Sequence, residues 1–344
     1  RRQRQMCIRD RSIVFDLFKE RRENILLKRE HSIPSFLGYN TSAPYGNIGI
    51  IENKGFDGTI EYNKRINKDW VIALRGNVTF NKDKWIQGEL PEQKYEWMNQ
   101  YGHNINGVKG YVAEGLFTQA EIDDMARWES LSDANKAITP KPFASQFGTV
   151  KAGDIKYKDL NNDGQIDAYD QTYISRGDVP TTVYGFGFTV GWKELSVGMM
   201  FQGVAGAERV LNGSSVNPFN GGGGSGNLYS NIGDRWTEEN PDQNAFYPRL
   251  SYGSETTSNI NNFQKSTWWV RNMNFLRLKT LQISYNLPKP WVNKVHLKNA
   301  AVYVMGTNLF TLSRFKLWDP ELNTDNGASY PNTTSYSVGI NFTF

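Results

Sequence analysis

Residues 184–202 read YGFGFTVGWKELSVGMMFQ, and their alternation decides the fold class. Tyr184, Phe186, Phe188, Val190 and Trp192 take every second position, with Gly185, Gly187, Thr189 and Gly191 between them. Successive side chains of a strand point to opposite faces, so a period of two describes a sheet with one apolar and one small or polar face. After Lys193-Glu194 the pattern resumes: Leu195, Val197, Met199 and Phe201 alternate with Ser196, Gly198, Met200 and Gln202. This predicts two antiparallel strands on a tight turn.

The same period runs through 70–81, where Trp70, Ile72, Leu74, Val78 and Phe80 oppose Arg75, Asn77, Thr79 and Asn81. It recurs in the last ten residues, where Tyr336, Val338, Ile340, Phe342 and Phe344 oppose Ser337, Gly339, Asn341 and Thr343. Less regular candidates at 12–28, 55–64, 274–287 and 300–312 bring the expected number of strands to eight. Several approach the ~9–11 residues that a tilted strand needs to cross a bilayer.

The connections alternate in length. Residues 29–47, 87–180, 208–266 and 315–333 form long loops, whereas Asn63–Asp69 and Lys193–Glu194 are short turns and Pro288–Lys298 is a modest link. Long loops gathered at one end are the habit of outer-membrane barrels, with short periplasmic turns and longer extracellular loops. The expected fold is therefore all-β, part of a transmembrane antiparallel barrel. The competing reading is a secreted, calcium-stabilised β-sandwich that binds glycan, with the alternating apolar residues in a core between two sheets. Trp70 and Trp192 lie beside short turns, where either an interfacial girdle or a core would place them. Gly185, Gly187 and Gly191 share one face, which suits either close packing inside a barrel or strand curvature.

Composition removes other classes. With 38% hydrophobic and 22% charged residues, the 344-residue chain has enough apolar content to fold. No window offers the ~20 apolar residues of a membrane-spanning helix. One cysteine excludes a disulfide scaffold, and three scattered histidines (His31, His103, His296) argue against a zinc or histidine-based catalytic site. The opening RRQRQMCIRD has no apolar stretch and no cleavage site of a signal peptide. Its reverse translation resembles an adapter and transposon end used in short-read sequencing libraries, so residues 1–11 are read as non-native and the native N-terminus as missing. Setting aside their five Arg and one Asp takes Lys+Arg from 39 to 34 and Asp+Glu from 35 to 34. The net charge is then near zero and nothing points to nucleic acid.

One motif carries chemistry. Asp159, Asn161, Asp163, Gln165, Asp167 and Asp170 stand at positions 1, 3, 5, 7, 9 and 12 of an EF-hand type loop, with Gly164 at position 6. Alternate oxygens at that spacing converge on one Ca2+, and Ile166 would anchor the loop. Asp170 has a shorter reach than the usual Glu. The same spacing also suits a metal-free loop of Asx-turns. Trp97, Trp128 and Trp236 lie in loops, where they could stack on sugar rings as ligand or lid contacts or pack the loops together. Glu114, Glu121, Asp123 and Asp124 form the densest carboxylate group, on a short helix expected at Ala120–Trp128. No nucleophile elbow, phosphate loop or metalloprotease motif is present, so no enzyme activity is expected and no cofactor is required.

Several segments together carry a family resemblance: ERRENILLKREHSIPSFLG (20–38), ENKGFDGTIEY (52–62), GYVAEGLF (110–117), GDIKYKDLNNDGQID (153–167), DRWTEENP (234–241), YPR (247–249), FLRLKTLQISYNLP (275–288), TNLF (307–310), WDPE (318–321) and SVGINFTF (337–344). In this order they resemble the C-terminal part of a SusC/RagA-type TonB-dependent outer-membrane transporter of Bacteroidetes. The resemblance implies a 22-stranded barrel when complete, of which residues 12–344 supply about eight strands. The plug, TonB box and signal peptide of such transporters would lie outside this sequence. It further implies a SusD-like surface lipoprotein, the TonB–ExbB–ExbD complex and the barrel-assembly machinery as partners, with an oligosaccharide or peptide as the imported nutrient. Phe342 and Phe344 would then belong to the C-terminal assembly signal.

Overall fold

The computed structural model describes residues 2–8, 10–38, 43–213, 216, 218, 230–251, 260–294 and 296–343. Among them, one sheet dominates. Its strands are β1 (Arg2–Ile8), β2 (Arg11–Lys28), β3 (Tyr45–Arg65), β4 (Trp70–Gln87), β9 (Thr182–Trp192), β10 (Leu195–Ala205), β13 (Phe275–Asn286), β14 (Asn299–Ser313) and β15 (Ser335–Thr343), hydrogen-bonded in that order. Every pairing is antiparallel. The intervening strands form three two-stranded ribbons: β5 (Val108–Gly110) with β8 (Thr172–Ser175), β6 (Ala113–Leu116) with β7 (Ile155–Tyr157), and β11 (Glu208–Val210) with β12 (Val270–Asn272).

All eight expected strands are present as β2, β3, β4, β9, β10, β13, β14 and β15. β3 starts ten residues before the expected 55, and β4 continues to Gln87 rather than stopping at 81. Glu52, Lys54, Lys82 and Lys84 interrupt the apolar alternation there, but backbone pairing ignores side-chain polarity and carries the ladder onward. β1 joins the outer edge by pairing with β2 through main-chain groups, which every sequence possesses.

The register sets one outward face across the sheet. Leu17 lies opposite Phe56, which lies opposite Phe80. Ile72 faces Val190, Val190 faces Val197, Val197 faces Ile283, Ile283 faces Val304 and Val304 faces Val338. Ile13, Phe15, Leu74, Phe186, Ile283, Val304, Val338 and Ile340 are all exposed on this face. No second large sheet covers them among the described residues, so this face is not packed as a sandwich core would pack it. Aromatic contacts run across the face, from Phe15 to Phe56 at 5.8 Å, from Phe56 to Phe80 at 5.6 Å, and from Phe186 to Phe201 at 4.9 Å. The opposite face carries Glu61 paired with Arg75 at 3.2 Å, along with Asn77, Thr189, Ser196, Gln202, Gln282 and Ser337. On it, Asn77 and Met200 lean over Gly185 and Gly187. At the short-turn end, Trp70 and Trp192 stand opposite each other at 6.1 Å on the outward face.

The well-packed core lies outside the large sheet. Tyr111, Leu116, Ile155, Tyr157, Ile166, Val210, Leu211, Trp236, Tyr247, Trp269, Met273 and Phe315 form one buried cluster drawn from the long connections. The 88–181 connection contributes α1 (Gln119–Glu129) and α2 (Asp133–Ile138), and the modest link holds α3 (Lys289–Lys294). Thr118 and Glu121 cap α1 reciprocally, each side chain accepting from the other's backbone amide.

Candidate functional site

The long connections fold together into one unit at the end of the sheet away from Trp70 and Trp192. Its centre is Asp154, fully buried at the start of the GDIKY segment. The Asp154 carboxylate accepts from Arg249 Nε at 2.9 Å and Nη2 at 3.1 Å, from Asn262 Nδ2 at 3.0 Å and from the Lys151 amide at 2.8 Å. Asn262 Oδ1 in turn accepts from the Ile155 amide at 2.8 Å, and Asn261 Nδ2 donates to the Ile155 carbonyl at 2.7 Å. Tyr157 donates to the Asn261 carbonyl at 2.7 Å, and burial holds its phenol well above the usual tyrosine range. These contacts clamp the 88–181 connection to the 206–274 connection. A second clamp fixes the last long loop: the nearly buried Arg277 of β13 pairs with Asp319 and, at 3.3 Å, with Glu321 of the WDPE segment.

The unit meets the sheet on its polar face. Asp83 of β4 accepts from the Ile105 amide at 2.6 Å and from Asn104 Nδ2 at 3.3 Å. Beside this contact lies a cavity of about 230 Å³ lined by Glu20, Arg22, Asn53, Asn81, Asp83 and Ile105 among others. Asn53 Oδ1 is buried there without a hydrogen-bond partner. Sequence reasoning missed this cavity, because its walls come from three strands and a loop whose spacing along the chain carries no motif.

The expected calcium loop is ordered, and Ile166 anchors it as expected, at 3% exposure. Gly164 adopts φ +83°, the sharp turn that position requires. The oxygens, however, are aimed at the backbone. Asp159 Oδ2 accepts from the Gly164 amide at 2.8 Å, Asn161 Oδ1 from Asp163 at 3.1 Å, Asp163 Oδ1 from Gln165 at 2.9 Å and Asp167 Oδ1 from Tyr169 at 2.7 Å. Asp170 is fully buried, with its two oxygens accepting from the Leu160 and Asp167 amides at 2.7 and 2.9 Å. Burial raises its carboxyl above the ordinary aspartate range, while those amides pull the other way. Among the described residues no three acidic, histidine or cysteine side chains converge as a metal site. Asp159 Oδ1, buried without a hydrogen-bond partner, is the feature that suits a cation.

The three tryptophans differ. Trp97 stacks on Tyr95 at 4.5 Å and 7°, and its Nε1 donates to the Tyr169 carbonyl at 2.8 Å, so one ring face is already covered. Trp128 is half-buried, donates to the Thr139 carbonyl at 2.9 Å and has Lys136 and Lys141 over its ring. Trp236 is buried against Gly153 in the loop core and packs there instead of presenting a face. Phe342 faces outward from β15, and Phe344 lies outside the described residues. Of the carboxylate group, Glu121 caps α1 and pairs with Lys156 at 2.9 Å, which is a structural role.

Comparison with known proteins finds relatives among TonB-dependent receptors. TonB-dependent receptor P26 of Formosa agariphila is 27% identical over 330 residues, covering 91% of this chain and 31% of the relative. TonB-dependent receptor P3 of the same organism is 25% identical over 360 residues, covering 96% and 32%. The resemblance to SusC/RagA-type TonB-dependent receptors holds. The chain spans about a third of the length of these receptors. Among solved structures, the RagAB peptide importer in its open-open state superposes with a TM-score of 0.70 at 22% identity, covering 97% of this chain and 33% of that one. Its closed-closed state gives 0.69 at 23% identity. These structures support the fold, in which the sheet is a barrel portion. The relatives are receptors and an importer rather than enzymes. No family model matches the chain.

Proposed function

We propose that this chain is part of an outer-membrane barrel that imports a nutrient, an oligosaccharide or a peptide, using energy from TonB. The observation that carries the reading is the sheet itself. From β2 to β15 one face carries an exposed apolar band, the other is polar, and the long connections fold together over the polar side. A lipid-facing wall and a wet lumen need that division. An open sheet fits a piece of a larger closed barrel, of 22 strands in the family reading, because unpaired backbone is costly in lipid. The folded long connections would face the outside of the cell, where a SusD-like lipoprotein would meet them, and Phe342 and Phe344 would belong to the signal read by the assembly machinery. The importer named for the structural neighbours favours a peptide, whereas the loop aromatics Trp97 and Trp128 favour a sugar. A structural Ca2+ on the 159–170 loop belongs to the same reading, supported by Asp159 Oδ1. Chelation should then speed proteolysis of that loop, and an unchanged cleavage pattern would remove the metal.

The test uses the complete receptor in its own bacterium. Deleting its gene should abolish energy-dependent uptake of one class among labelled oligosaccharides and peptides, and protease added to intact cells should cut within 88–181. Unchanged uptake of both classes, or a receptor inaccessible from outside, would overturn the reading.

A further inference from the structure

Above the apolar band, the outward face changes abruptly. Leu17, Phe56 and Phe80 form its last apolar row on β2, β3 and β4. Two residues further toward the long connections, Lys19 lies opposite Lys54 and Lys54 opposite Lys82. The row behind them is Arg21, Glu52 and Lys84. The outward orientation of this strip is fixed by its neighbours: Phe18 and Gly55 crowd each other on the polar face, and Asp83 engages the loop unit there.

Like charges directly opposite one another on a sheet destabilise it. On the polar face of the same strands a complementary pair stands opposite instead, Glu61 and Arg75 at 3.2 Å. In the strip, Glu52 bridges Lys19 at 3.1 Å and Lys84 at 3.5 Å, and Arg21 turns to Glu23 at 2.7 Å. Lys54 and Lys82 are exposed and have no ion-pair partner among the described residues. Five cations against Glu52 and Glu23 leave the strip with excess positive charge.

Its height is informative. The ten steps from Trp70 to Phe80 cover roughly 33 Å at strand rise, or about 25 Å of height at the usual barrel tilt, which is the height of a lipid-facing band. Lys82 therefore stands where the hydrocarbon ends and the headgroups begin, on the side opposite the Trp70–Trp192 pair.

We propose that Lys19, Lys54 and Lys82, backed by Arg21 and Lys84, form a docking strip for the phosphate groups of an anionic lipid in the leaflet around the barrel. The proposal rests on the membrane reading above. The phosphates supply the counter-charge that the sheet itself withholds from Lys54 and Lys82, and the apolar row beneath takes the acyl chains. Because the strip occupies only β2 to β4, lipid would be held on one flank of the barrel.

The test compares the complete receptor with its K54Q/K82Q variant. Binding of diphosphorylated lipid A and of dephosphorylated lipid A is measured by native mass spectrometry, and resistance to SDS unfolding checks that the barrel is intact. A basic residue near an anionic lipid surface strengthens attachment about fivefold, so the double variant should lose roughly thirtyfold in affinity for the phosphorylated lipid. Neither protein should prefer the dephosphorylated lipid, and Lys68→Gln, in the turn at the opposite end, should change nothing. Should the receptor be absent from the outer-membrane fraction, the membrane reading falls and this proposal with it. A receptor that fractionates correctly but loses less than threefold overturns the docking strip alone, and so does equal binding of both lipids by the unaltered protein.

Discussion

Asp154→Ala in the complete receptor should loosen the folded connections while leaving the sheet intact. The carboxylate is fully buried and receives the Arg249 fork, one Asn262 proton and the Lys151 amide. Removing it strands a guanidinium that is mostly shielded from water, and breaking a buried pair from one side costs about 3–5 kcal/mol. Every 1.4 kcal/mol is tenfold, so local opening should become about a hundred- to several-thousand-fold more frequent. Amide exchange read by mass spectrometry locates the effect. The Ile155 amide is held by Asn262, and the Trp269 indole donates to the Asn262 carbonyl at 2.9 Å, so peptides around 151–158 and 260–270 should exchange faster together. Peptides from β13 and β14 should keep their protection. Replacing both partners with apolar residues, Asp154→Leu with Arg249→Met, should recover part of the loss because no charge is left stranded. If the single variant exchanges like the parent, the clamp contributes nothing. If β13 and β14 lose protection as much as the loops, the connections are not a separate unit.

Three further outcomes follow from the same geometry. Gly153→Ala should destabilise the loop core beyond the ordinary ~1 kcal/mol of a backbone effect, because φ is +83° and an added Cβ would lie 2.3 Å from the Trp236 ring; loss of Trp236 fluorescence at lower urea would report it. Asp170 is held above the ordinary aspartate range by burial, so its unfolded form ionises first as pH rises. Stability of the 159–170 loop should therefore fall between the ordinary aspartate range and the raised native value, and proteolysis there should be slower at mildly acidic pH than at neutrality; the reverse trend would refute the assignment. Val304→Arg, on the outward face of β14, should cost roughly 2–4 kcal/mol of barrel stability, whereas Ser337→Arg on the polar face should cost far less; equal losses would contradict the division of faces.

The strands were legible because the two faces of the sheet differ in polarity, so neighbouring residues along a strand carry opposite character. Trp70 to Phe80 and Tyr184 to Trp192 carry that contrast residue by residue, and so do Tyr336 to Phe342. Where strands rise past the apolar band the contrast vanishes. Lys54 and Lys82 made β3 and β4 look shorter than their hydrogen bonding makes them. The loop core was illegible for a different reason: its contacts join residues about a hundred positions apart, as Asp154 does with Arg249 and Tyr157 with Asn261. Only the resemblance hinted at them, by setting GDIKY and YPR among its matching segments. Trp236 shows the consequence, since its burial depends on Gly153, which leaves space where any side chain would stand.

The 159–170 loop brings the two kinds of information together. Oxygens placed at alternate positions reach a central cation, and they equally reach the amides of their own turn, because both sit at the centre of curvature. Spacing therefore predicts the turn itself, and the turn is there: Gly164 bends it, Ile166 pins it to the core, and Asp170 closes it on Leu160 and Asp167. What spacing does not weigh is burial. Asp170 sits where water is excluded, so the amides must satisfy it with or without an ion, and the loop is built to hold its shape unaided. A cation would add to that shape through Asp159 Oδ1, the oxygen the amides leave over. Metal affinity should therefore depend more steeply on Asp159 than on Asp170, with Asp159→Asn weakening calcium protection of the loop and Asp170→Asn loosening the loop whether or not calcium is present.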